Sequence, residues 1–289
     1  MIQRGARERP PFFCIPGVGG NILGLYDLAR HLGPDQPVYG LQARGLDGQA
    51  EPLTRIQDIA AHHIEEIRAV LPNGPFFLGG LSWGGSVAFE MAHQLDLAGD
   101  RVALVALFDA FAPGPGGPAR WISTTRRLSK GFGARVAYHA RNLLWEPGRV
   151  DYFRGKTRTL VQKVRSRIRQ RISPRSRSRA KPLARALQDV RQANYRATQK
   201  YAPGRYRGKV TLFRAAVRWA ADSPRRDMGW EPLALGGVEI REVPGDHVKM
   251  MLPPQVGLLA AQLRECIDRA TGDETSTAQR EARSGSTPA

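Results

Sequence analysis

Short apolar runs alternate with helix-patterned segments through the first hundred residues, and few architectures accommodate that order. PFFCIPG (residues 11–17) is an apolar run halted by proline and glycine, which predicts a strand entering a turn. Residues 20–33 carry Leu25, Leu28, Ala29 and Leu32 at helical spacing. PVYGLQAR (37–44) reads as a second strand. Thr54 and Gln57 form a capping-box pair, opening a helix that places Ile56, Ile59, Ala60, Ile64 and Ile67 on one face and stops at Pro72. PFFLGGL (75–81) is a third strand, followed at once by a helix bearing Val87, Phe89, Met91, Ala92 and Leu95. RVALVALFD (101–109) is continuously apolar, as expected of a strand covered on both faces. This alternation predicts a mostly parallel sheet flanked by helices.

The rhythm breaks at PGPGGP (113–118). From there to Lys209 the patterns are helical. Leu160, Val161, Val164, Ile168 and Ile172 make a narrow apolar stripe on a basic helix, residues 173–181 (SPRSRSRAK) are low-complexity and expected to be mobile, and a further helix runs over about 182–200. GKVTLFRA (208–215) and GGVEIREVPG (236–245) restore the strand pattern, and a last helix spans roughly 255–270. The expected organisation is an α/β body in two parts, residues 1–112 and 208–270. A helical insertion occupies 113–207, and a polar tail over 271–289 is expected to be disordered.

Charge follows the same division. The formal net charge is +18, but residues 120–209 hold 26 Lys/Arg and three acids, leaving 18 basic and 23 acidic residues elsewhere. The chain is a mildly acidic body with one very basic segment, so a charge-based partner must concern that segment. Two cysteines, Cys14 and Cys266, are too few for a disulfide framework or a four-ligand zinc site and read as buried thiols. No apolar run approaches the ~18 residues of a membrane span. The basic N-terminus leads into too short an apolar stretch for a signal peptide, so a cytoplasmic location is expected.

The segment from Gly79 to Gly85 (GGLSWGG) contains G-x-S-x-G. The string alone arises by chance roughly once in ten chains of this length. Its setting is more specific, since a strand ends at Leu81 and a helix begins just after Ser82. A serine on so sharp a turn is strained, needs glycines around it, and is thrust above the sheet edge at a helix N-terminus. An ordinary strand–turn–helix junction is the alternative. A serine hydroxyl needs a base to become nucleophilic. Of six histidines, His31, His62, His63 and His93 fall in or near helices and His139 in the insertion, whereas His247 follows a late strand and a Pro-Gly turn. It is the expected base, with a structural loop histidine as the alternative. A carboxylate must hold the base. Asp109, which closes the apolar strand, is preferred, with Asp222 after the next strand and Asp246 beside the histidine as alternatives. The order Ser, Asp, His is that of α/β-hydrolases.

Two backbone N–H groups should form an oxyanion hole. Trp83 supplies one, and the loop Pro16–Gly20 the other, from Val18 or, failing that, Gly17. That loop lacks the third glycine of G-x-G-x-x-G and no Walker lysine follows, which argues against a nucleotide site. No metal or cofactor is expected.

Together these residues resemble the thioesterase domains of nonribosomal peptide and polyketide synthases, of α/β-hydrolase fold. The matching stretches are FFCIPGVGGN, VYGLQARGLDG, GPFFLGGLSWGG, ALFDAF, YRGKVTLFRA, GWEPLALGGVEI and VPGDHVKMM. The resemblance implies Ser82 as nucleophile, Asp109 as acid, His247 as base, and Val18 and Trp83 as oxyanion donors. It implies an acyl chain handed from a carrier protein's phosphopantetheine thiol to Ser82, then released by water or an internal nucleophile, with the insertion as lid. The lid is longer and more basic than the family pattern. The chain opens on Met1 close to the first strand, which suits a free-standing protein or an excised domain.

The basic segment is open to several readings: a solvated lid, a dock for an acidic carrier protein, contact with an anionic membrane surface, or, least favoured, nucleic-acid binding. Rivals to the expected release reaction are editing of misprimed carriers, a general carboxylesterase or lipase, and a non-catalytic docking scaffold.

Overall fold

The computed structural model describes the backbone of residues 1–113, 174–217 and 225–284, with side chains for 1–113, 183–217 and 225–272. Within these residues β1 (Phe12–Ile15) leads through a 3₁₀ turn (Ile22–Leu25) into α1 (Tyr26–His31), then β2 (Val38–Gly40), α2 (Ile56–Val70), β3 (Phe76–Leu81), α3 (Trp83–Leu97) and β4 (Val102–Phe108). After the undescribed stretch come α4 (Pro174–Gln199), β5 (Val210–Ala215), β6 (Val238–Val243), a second 3₁₀ turn (Lys249–Met251) and α5 (Gln255–Ser284).

The six strands form one sheet in the order β2-β1-β3-β4-β5-β6. Every neighbouring pair is parallel, with Cys14 opposite Gly79 and Phe108 opposite Phe213. Parallel strands send their C-terminal ends to one edge, so the loops after β1, β3, β4 and β6 converge there.

Side chains of a strand point alternately to opposite faces, and here both faces are sealed. Phe13, Ile15, Phe76 and Leu78 pack with α2, α3 and Trp230 on one side. Phe12, Cys14, Phe77, Phe108 and Phe213 pack with α1 and α5 on the other. That explains the continuous apolar strands of the sequence. Both cysteines are buried free thiols, and burial pushes that of Cys14 far up in pKa.

Several local expectations are corrected. β2 is three residues, not eight. Thr54 does not cap α2: Arg55 is still extended (φ −129°, ψ 136°) and occupies the cap position, which sets Thr54 one residue too early to reach the first amides. The helix expected over about 182–200 begins earlier, at Pro174, a residue suited to a first helical turn, and so takes in most of the run expected to be mobile. α5 continues past residue 270 to Ser284, where a disordered tail is expected from the sequence; no glycine or proline falls between Gly272 and Ser284 to break it. The stripe from Leu160 to Ile172 lies outside the described residues, as do His139 and most of the insertion.

Candidate active site

Ser82 stands between β3 and α3 with φ 55° and ψ −117°, a backbone region that side chains disfavour. The neighbouring glycines make the turn feasible. A Cβ on Gly80 would lie 2.2 Å from the carbonyl oxygen of Gly84, and a Cβ on Gly84 would lie 2.4 Å from that of Pro16. The helix therefore starts hard against β1 and β3, and Ser82 is lifted into a cleft of about 480 Å³ at the C-terminal sheet edge.

Asp109 and His247 line the same cleft. Asp109 directly follows β4, is 4% exposed, and also has a positive φ of 46°. Its main-chain N–H donates to the carbonyl of Phe213 (2.8 Å) and its Oδ1 accepts from the N–H of Ala215 (3.0 Å), so β5 fixes both the backbone of Asp109 and one oxygen of its carboxylate. Its Oδ2 lies 2.7 Å from Nδ1 of His247. An ionised carboxylate only accepts, so Nδ1 is the donor and Nε2 is left as the basic nitrogen.

The other acid candidates separate. Asp246 caps the following turn, its Oδ1 accepting from the N–H groups of Val248 (3.0 Å) and Lys249 (2.9 Å). Asp222 lies outside the described residues. Among the described histidines, His63 is buried on α2 against Glu66 (2.8 Å) and His31 bonds the carbonyl of Asp27 (2.7 Å).

Val18 and Trp83, the residues expected to supply oxyanion donors, both line the cleft, as does Gly17. Trp83 opens α3, where main-chain N–H groups have no partner within the helix. The rest of the cleft is largely apolar, with Leu23, Phe111, Val217, Val248, Met251 and Leu252 among its walls. Such a wall suits an apolar chain.

Sequence reasoning missed Ser86, one turn beyond Ser82 on α3, and Tyr195 and Thr198 on α4, all of which line the cleft. The buried face of α4 is Ala186, Val190, Ala193, Ala197 and Thr198, with Asn194 among them at 2% exposure. Small residues with one buried amide at helical spacing are a signal of close packing, but nothing in the pattern names what they pack against. Among the described residues no cluster of His, Cys, Asp and Glu could hold a metal ion, and no helix is long and apolar enough to cross a membrane.

Comparison with known proteins adds to this geometry. A family model described as "Thioesterase domain" matches residues 10–263. Malpibaldin synthetase of Mortierella alpina is 27% identical over 296 residues, covering 93% of this chain but 4% of that protein. The chain thus spans only a small part of the curated relative it matches. A four-domain nonribosomal peptide synthetase, solved with AMP and glycine, superposes with a TM-score of 0.66 at 24% identity, over 91% of this chain and 20% of that one. The NocB thioesterase domain, solved as a covalent complex with a fluorophosphonate nocardicin G analogue, gives a TM-score of 0.57 at 23% identity over 91% and 94%. At such identities the likeness is one of fold, the α/β-hydrolase arrangement of a parallel sheet between helices.

Proposed function

The chain belongs to the thioesterase domain family, and on that premise we propose that it is a serine thioesterase using Ser82, Asp109 and His247 as one catalytic unit. Nε2 of His247 takes the proton of Ser82 as Oγ attacks the acyl carbonyl of a thioester. Asp109, held by Ala215, keeps the imidazole tautomer and stabilises the imidazolium that forms. The N–H groups of Val18 and Trp83 receive the oxyanion, aided by the positive end of α3. Collapse breaks the C–S bond, and His247 gives its proton to the departing thiolate. A thiolate leaves more readily than an alkoxide, so no metal is called for. Water or an internal nucleophile, deprotonated by His247, then releases the acyl group and returns the proton to Ser82.

The substrate is an acyl or peptidyl chain on a carrier protein's phosphopantetheine arm, and the role is product release or editing in nonribosomal peptide or polyketide assembly. Residues 113–207 act as a lid, in keeping with Tyr195 and Thr198 of α4 lining the cleft. Their concentrated positive charge suits an acidic carrier.

The observation that carries this reading is the 2.7 Å contact of His247 with Asp109 in the cleft that holds the strained Ser82. A fluorophosphonate probe tests it. Intact protein should be labelled at Ser82 and the Ser82→Ala variant should not; folded protein without label at Ser82 overturns the reading. Faster turnover of free esters than of acyl-carrier thioesters would favour a carboxylesterase instead.

A further inference from the structure

We infer that Asn194 is a positioning residue which ties both oxyanion donors to α4, an inference that rests on the serine-thioesterase reading above. Its side-chain amide donates to the carbonyl of Val18 at 3.0 Å. Its main-chain carbonyl accepts from the indole Nε1 of Trp83 at 3.1 Å and from Oγ1 of Thr198 at 3.0 Å. One buried residue thus holds the two residues assigned to the oxyanion site, across sequence separations of 176 and 111.

The chemistry of each tie is specific. The partner of the side chain is a carbonyl oxygen, so a hydrogen-bond donor is required there; a carboxylate would set lone pair against lone pair. The Val18 loop needs such a tie because Gly17, Gly19 and Gly20 give it many alternative conformations. It also lies directly against the helix. At Gly20, with φ +70°, an added Cβ would stand 2.9 Å from Cγ1 of Val190 on α4. A shift of α4 is therefore transmitted to the loop and to Trp83 together. Oxyanion stabilisation depends on donors converging within hydrogen-bond distance, and a misplacement of about 1 Å costs up to about 10²-fold in rate.

The test compares Asn194→Asp and Asn194→Ala with the wild type, using a small carrier-free acyl thioester. Active sites are counted by titration with a fluorophosphonate carried to its end point. Turnover per titrated site should fall about 10- to 100-fold with KM within about twofold. Affinity for an alkylboronic acid, whose tetrahedral adduct places an oxygen in the oxyanion site, should fall in step. A merely structural role lowers the number of titratable sites and leaves turnover per site unchanged, and that result overturns the inference. Where the Asn194 variants do not fold, Trp83→Phe removes the second tie while keeping the main-chain N–H. Its turnover per site and boronate affinity should also fall, and wild-type values overturn the inference. Wild-type protein without label at Ser82 defeats the serine reading, and this inference with it; labelled wild type with unaltered variants defeats this inference alone.

Discussion

Nδ1 of His247 meets Oδ2 of Asp109 at 2.7 Å although 138 residues separate them in sequence. The meeting is a product of strand order. Asp109 follows β4 and His247 follows β6, with β5 between them, and the amide of Ala215 at the end of β5 steadies the carboxylate.

Asp109→Asn should reduce kcat for thioester hydrolysis by about 10⁴-fold with little change in stability. The amide oxygen can still accept from Ala215, which turns the NH₂ toward His247 and forces the proton onto Nε2, the wrong tautomer for a base. Steady-state kinetics and a urea midpoint check this together. A loss below tenfold would remove Asp109 from the catalytic unit.

Ser82 offers a test of stored strain. Its φ of 55° and ψ of −117° cost about 1–3 kcal/mol for a residue with a Cβ. Ser82→Gly should therefore unfold at higher urea than Ser82→Ala, by about 1 kcal/mol, despite glycine's entropy in the unfolded chain. Both variants should be inactive. Equal midpoints would mean that the turn carries no strain.

Tyr201, just beyond α4, donates through its hydroxyl to the buried carboxylate of Glu90 at 2.6 Å, and Gln94 donates to the same carboxylate at 2.8 Å. Burial, then the nearby Glu90 charge, pushes the Tyr201 phenol far up, so it remains a donor. Tyr201→Phe should destabilise the protein by about 1–3 kcal/mol, because the carboxylate loses a partner where water has little access. Chemical denaturation measures it, and a shift below about 0.5 kcal/mol would contradict the assignment.

Glu239 on β6 gives a pH signature. Burial raises its pKa, but hydrogen bonds from Lys209 (2.8 Å), Arg241 (2.9 Å) and Arg269 (3.0 Å) outweigh that and bring it from 4.5 to about 2. A carboxylate with a lowered folded-state pKa contributes stability above its ordinary pKa, and the contribution fades as pH falls toward the folded value. Glu239→Gln should thus be less stable than wild type at pH 7, with the gap narrowing between pH 4.5 and 2. Urea midpoints across that range decide it; a constant gap would mean that the charge of Glu239 is not what matters.

Much of the sheet edge was legible because its signals are local. The strand–Ser82–helix junction, the apolar run closing on Asp109 and the Pro-Gly turn before His247 each declare a strand end, and parallel strands send those ends to one side. Helix boundaries were less legible. Thr54 met the capping pattern, yet one extended residue at Arg55 displaced the helix start, a matter of backbone context that composition does not encode. Asn194 was out of reach for another reason. Its partners Val18 and Trp83 lie more than a hundred positions away, and only the packing of α4 against the start of α3 and the Val18 loop gives that side chain a function to be read.

β4 and β5 are hydrogen-bonded neighbours even though Phe108 and Val210, where one ends and the other begins, are about a hundred positions apart. Evolution can therefore lengthen, shorten or exchange what lies between them as a cassette without breaking the pairing that sets Asp109 beside β5.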